Sequence, residues 1–196
     1  MYATDSREAC RRHNERTSFE WRKEIAEGQT PIATMLTCSD SRVSPALIFS
    51  CGQGDIFVVR NAGNVVDETV LTSIEFGVGH LGTPILLVMG HEKCGAVTAA
   101  YNEFCGAPDA SHHPHDEPDE SKRLYGLLSR IAPSVERVPA GLKGAEAIDA
   151  AVKENVNLMA DKILETSPLI RRLIAEGKVR FIRAVYMLKD GYVVEI

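Results

Sequence analysis

The chain reads as an α/β domain built on a mainly parallel sheet, and two observations lead there. Three short, β-branched apolar runs at 32–37, 56–59 and 85–89 are each bounded by Gly, Pro or Asp, as expected of strands buried on both faces. Between the last two, Val70, Ile74, Val78 and Leu81 form a helical stripe over 67–81, which makes the pattern strand, helix, strand.

Taken in order, residues 6–27 predict a polar helix anchored only by Phe19, Trp21 and Ile25. So narrow an apolar face is expected to pack on something beyond its own core, a second subunit. Gly28 and Pro31 end it. A helix starts at Gly95, residues 105–120 read as a loop, and Ile148, Val152, Val156, Met159 and Ile163 line one face of a helix over 145–164. Ser167-Pro168 supplies an N-cap and a first-turn proline, and Gly177 a stop. Residues 179–188 and 192–196 around Lys189-Asp190-Gly191 predict a terminal hairpin. No repeat or linker splits the chain, so 1–196 is expected to be one domain: an arm at 1–28, a core at 29–104, the loop at 105–120, and helices and strands at 121–196.

Composition excludes several roles. Net charge is −5 with no basic run, which argues against a nucleic-acid partner. No stretch approaches the ~18–20 apolar residues that span a bilayer. The first 27 residues are charged throughout, unlike a signal peptide. Five cysteines at uneven spacing fit a reducing compartment better than a disulfide framework, so a cytoplasmic location is expected.

The chemistry concentrates in Cys38-Ser-Asp40-Ser-Arg42 and His91-Glu-Lys-Cys94. Two thiols and an imidazole suit tetrahedral Zn²⁺, and three protein ligands leave a fourth position open, as in a catalytic site. Cys38 follows the first predicted strand, and His91 and Cys94 follow the third, so all three can meet at the carboxyl edge of the sheet. Cys94 opens a helix whose backbone dipoles are expected to lower its pKa. Asp40 is placed to accept a hydrogen bond from a zinc-bound hydroxide, and Arg42 to orient Asp40 and keep it ionised. A structural zinc site closed by Asp40 would leave Arg42 without a use, and a Cys38/Cys94 redox pair lacks the Cys-x-x-Cys unit.

These residues resemble the β-class carbonic anhydrases over most of the chain. The matching stretches are Cys38 to Val43, Gly54 to Asn64, Ser73 to Phe76, Gly90 to Val97 and Ala184 to Tyr186. The resemblance implies Cys38, His91 and Cys94 as ligands of one Zn²⁺ per chain, with Asp40 and Arg42 as the catalytic dyad. It implies four parallel strands plus an antiparallel edge strand flanked by helices, with the N-terminal helix across a partner in a dimer or tetramer. Gln29 and Phe57 match the substrate pocket of the plant-type branch, Phe76 stands where that branch has tyrosine, and Ala62 and Gly95 complete the pocket. Met35 replaces the tryptophan of bicarbonate-sensing members, which argues against an inhibitory bicarbonate site even though Arg60 is present.

Other features have plainer readings. Gly77-Val-Gly79-His-Leu-Gly82 fits a dinucleotide spacing but ends a helix instead of opening one, so its glycines and His80 are read as packing and capping. His112, His113 and His115 with Asp116 and Glu117 read as a solvated loop. Cys10, Cys51 and Cys105 read as structural thiols, and the 60–64 segment as a tight turn supporting the site. The expected activity is reversible hydration of CO₂ to bicarbonate. Carbonyl sulfide or carbon disulfide hydrolysis on the same scaffold and a non-catalytic zinc or bicarbonate-sensing module are the alternatives.

Overall fold

The structure, a computed structural model, describes residues 11, 14–105 and 119–196. Among them, five strands form one sheet: β1 Ala33–Cys38, β2 Ile56–Asn61, β3 Ile85–His91, β4 Arg180–Tyr186 and β5 Val193–Glu195. Their order is β2-β1-β3-β4-β5. The first four are parallel and β5 is antiparallel on the edge. From β1 the chain goes first to one side, to β2, and then to the other, to β3. That reversal opens a crevice between the carboxyl ends of β1 and β3, where open α/β sheets bind ligands.

Among the described residues, the sheet is accompanied by helices α1 Phe19–Glu24, α2 Pro45–Ile48, α3 Glu68–Glu75, α4 Gly95–Cys105, α5 Asp119–Val135, α6 Gly144–Thr166 and α7 Pro168–Ala175. Asp67 caps α3 by accepting from Val70 N at 2.9 Å, and Ser167 caps α7 by accepting from Ile170 N at 3.1 Å. Each such cap contributes about 1 kcal/mol. α3 runs on into a wide π turn at Phe76–His80.

Alternation along the strands feeds two cores. Leu36 and Val88 join Ile74, Ile131, Val156, Met159, Ile163 and Ile170 on the heavily covered face. Met35, Leu87, Met89 and Ala184 meet Val43 and Ile48 on the other. Burial on both faces is why β1 and β3 read as continuous apolar runs; each fully buried aliphatic contributes roughly 1.5–3 kcal/mol. Gly90 lets α6 approach the end of β3, because a Cβ there would lie 2.7 Å from Val156 Cγ2.

Two expectations need correction. The N-terminal helix is not continuous: the chain turns at residues 16–18, and Ser18 accepts from Trp21 N (3.1 Å) to start α1 afresh. A serine competes for backbone donors and favours a cap over a helix interior. This arm is tied to its own chain, with Trp21 Nε1 donating to Gln53 O (2.8 Å), Gln53 N donating to Arg16 O (3.0 Å) and Arg16 paired with Asp55. The loop expected at 105–120 is helical at both ends, since α4 reaches Cys105 and α5 starts at Asp119. His112, His113, His115, Asp116, Glu117 and Cys10 lie outside the described residues. α5 falls largely within the span 121–196 expected to hold helices and strands, and carries Pro133 near its C-terminal end.

Candidate metal centre

Cys38 and His91 are the last residues of β1 and β3, so adjacent parallel strands deliver them to the same edge. Cys94 follows after a tight turn in which Lys93 takes φ of 51°, and its carbonyl accepts from Thr98 N at 2.9 Å to begin α4. Left-handed backbone at a non-glycine residue stores strain of a kind concentrated at functional sites. The three ligating atoms lie within 4.8 Å of one another, with the sulfurs 3.9 Å apart. His91 is fully buried, and Cys38 and Cys94 nearly so.

The imidazole is oriented for coordination. A carbonyl can only accept, so the 2.9 Å contact between His91 Nδ1 and Glu92 O places the proton on Nδ1. Nε2 then presents a lone pair, and it is buried without a hydrogen-bond partner. An orphaned acceptor facing two soft sulfurs fits Zn²⁺, and the trio leaves room for a fourth ligand.

Asp40 and Arg42 adjoin the trio. Arg42 donates to Asp40 from Nε (2.9 Å), Nη2 (2.7 Å) and its backbone N (2.9 Å), and Asp40 Oδ2 is 3.7 Å from His91 Nε2. The Arg42 side chain, through these hydrogen bonds, holds the Asp40 carboxyl well below the usual carboxylate range, and Asp40 in turn raises Arg42. Arg42 Nη2 also donates to Lys93 O at 3.2 Å, bridging the two motifs.

The helix dipole does not govern Cys94. The hydrogen bond with the Cys38 thiol and burial push Cys94 up, outweighing the backbone N–H groups of Val97 and Ala96. The same S–H bond pushes Cys38 down, aided by neighbouring His91 and then by the Gly63 N–H. A metal binds these sulfurs as thiolates, so its entry releases any proton that they carry.

Gly63, at φ 72°, donates its N–H to Cys38 Sγ at 3.3 Å. A Cβ there would meet Ile131 Cδ1 at 2.7 Å. Ala62 and Gly95, both exposed, are the chain neighbours of Gly63 and Cys94. Gln29, Phe57 and Phe76 are not brought to this edge. Phe57 pairs with Thr34 and Asn61 with Cys38, which sets Phe57 four residues, roughly 13 Å, back along the sheet. Phe76 packs beside it with centroids 5.9 Å apart, and exposed His80 stacks on Phe76 at 4.7 Å. Gln29 is exposed ahead of the amino end of β1. Met35 is buried in the smaller core.

Two contributors carry weaker sequence signals. Arg60 donates to the carbonyls of Cys38 (2.9 and 3.0 Å), Asp40 (3.0 Å) and Val43 (2.7 Å), fastening the loop that bears the first motif. Asn155 donates from Nδ2 to Gly63 O at 2.9 Å; it is a polar residue on the otherwise apolar stripe of α6, which was its visible sign.

Comparison with known proteins decides the family. A family model described as carbonic anhydrase matches residues 33–193. The chain belongs to the β-class carbonic anhydrases. It is 34% identical to carbonic anhydrase 2 of Mycobacterium tuberculosis over 174 residues, 89% of this chain and 78% of that one. The β-carbonic anhydrase of Coccomyxa, solved with acetazolamide, superposes with a TM-score of 0.73 at 29% identity over 89% of this chain and 75% of that one. A tetrameric β-carbonic anhydrase from Sordaria macrospora gives 0.71 at 26% identity over 90% and 86%. Membership makes the chain an enzyme of the lyase class, in a zinc-dependent family. No helix among the described residues is long and apolar enough to cross a membrane.

Proposed function

We propose that the chain catalyses the reversible hydration of CO₂ to bicarbonate and a proton, with zinc held by Cys38, His91 and Cys94. The observation that carries this reading is the partnerless His91 Nε2, converging with two thiols and with Asp40 Oδ2 at 3.7 Å. Bound zinc would supply the Lewis acidity that turns water into a nucleophile at mildly alkaline pH.

The chain's own groups do the rest. Asp40, kept ionised by Arg42, offers Oδ2 as an acceptor next to the open position, which orients the attacking oxygen and rejects a donor-poor ligand. Arg42 fixes that carboxylate through two side-chain hydrogen bonds and ties it to the 91–94 turn through Lys93 O. The substrate pocket takes Ala62 and Gly95 from this chain. Gln29, Phe57 and Phe76, at the other end of the sheet, serve the site of a second copy, in a dimer or tetramer. The free thiols at Cys38 and Cys94 favour reducing surroundings such as the cytoplasm.

The test is to assay CO₂ hydration and the hydrolysis of carbonyl sulfide and carbon disulfide on one zinc-loaded preparation. CO₂ hydration is expected to dominate. Sulfide-releasing hydrolysis without CO₂ hydration would replace this reading with its scaffold-sharing rival, and zinc binding with no turnover would leave a sensing module.

A further inference from the structure

Helix α6 reads the backbone of the turn that carries Gly63. At spacings of four and three residues, it presents Asn155, Met159 and Lys162. Asn155 Nδ2 donates to Gly63 O (2.9 Å), Met159 Sδ accepts from Val66 N (3.1 Å), and Lys162 Nζ donates to Val66 O (2.8 Å). Both ends of the 63–66 segment are thus fastened to one helix. Asn155 is 1% exposed, and its carbonyl accepts from buried Ser134 Oγ on α5 at 3.2 Å. Ser134 thereby fixes which end of the amide faces Gly63. A buried amide on an apolar stripe is costly unless its partners are in place, and this one has a partner at each end. Through Gly63 the chain of contacts ends on the sulfur of Cys38.

We propose that Asn155, oriented by Ser134, is a positioning residue for the metal centre. It holds Gly63 so that the Gly63 N–H stays on Cys38 Sγ and withdraws charge from that ligand. A thiolate that accepts an N–H donates less to its metal, and partners of ligands tune the metal in this way. This rests on the reading of Cys38 as a ligand. It adds a residue more than ninety positions away in sequence that touches neither metal nor substrate.

The test uses cobalt(II) in place of zinc, read through its thiolate-to-metal charge-transfer band. Asn155→Leu, which keeps the branched heavy-atom outline but has no donor, is expected to keep one cobalt per chain, move the band to longer wavelength and lower kcat/KM of the zinc form about ten-fold. Ser134→Ala is expected to shift the band the same way by less, and it decides the matter alone if Asn155→Leu does not fold. A merely structural role would lower stability without moving the band. A band that depends on Cys38 but stays put in the folded variants overturns the proposal alone. A band unchanged by Cys38→Ala removes the ligand assignment and the proposal with it.

Discussion

The two ends of the sheet are built to opposite rules. At the carboxyl end Cys38, His91 and Cys94 are all buried, their turns are pinned by Arg60, Gly63 and Arg42, and the polar machinery sits within one chain. At the amino end Phe57, Phe76 and His80 stack into an aromatic group, with Phe76 43% exposed and Gln29 exposed ahead of β1. A metal-binding set must be preorganised by its own chain, because ligand geometry tolerates little error. An apolar wall needs only shape, and a second copy can supply it. The contrast sets a candidate metal centre at one edge of the sheet against a partly exposed aromatic group at the other.

Breaking the carboxyl end should have the largest effect. Cys38→Ala, His91→Ala and Cys94→Ala are each expected to lose zinc and all measurable turnover, since two protein ligands rarely hold zinc tightly. Metal analysis beside a CO₂ hydration assay checks this, and full zinc in any variant removes that residue from the ligand set.

Asp40→Asn and Arg42→Ala come next, with zinc retained and turnover reduced on the order of 10–100-fold. Arg42→Ala carries a sign as well. Without the cation, Asp40 rises towards its ordinary value, so the acid limb of the rate profile governed by Asp40 ionisation should move to higher pH. Linkage gives the same direction for stability: the lowered pKa of Asp40 stabilises the fold above about pH 3.9 and ceases to as pH falls through its folded value. Stability curves for Arg42→Ala and the parent should therefore converge in acid, and parallel curves would count against the pairing.

Sharpening the comparison calls for the amino end. Phe57→Ala and Phe76→Ala should leave zinc content unchanged and lower kcat/KM by roughly ten-fold, the scale of a damaged apolar pocket. Mixing a Phe57→Ala/Phe76→Ala chain with a Cys38→Ala chain should restore activity, because the intact metal site of one then meets the intact wall of the other. Absence of recovery in a mixture shown to contain hybrid oligomers would place each pocket within its own chain.

Much of this was legible in the sequence because the signals are local. Continuous apolar runs at β1 and β3, the Ser167 cap and the His-x-x-Cys unit each announce themselves within a few residues. The unexpected features depend on contacts far apart in the chain. The arm around the Ser18 break is held by contacts of Arg16 and Trp21 with Gln53 and Asp55, and the Cys94 thiol is pushed up first by Cys38, which lies at the end of another strand. Phe57 and Phe76 matched a pocket by motif, but the register of β2 sets Phe57 well back from Cys38 and Phe76 packs beside it from the π turn, placements that no single motif encodes.

The central claim is a single zinc site at the carboxyl edge that hydrates CO₂, and zinc titration of metal-free protein tests it most directly. Initial rates of CO₂ hydration, measured at mildly alkaline pH because two thiolates leave the metal less acidifying than three imidazoles would, should rise in proportion to bound zinc and level off at one per chain. Full activity in metal-free protein, or none at one zinc per chain, would contradict it.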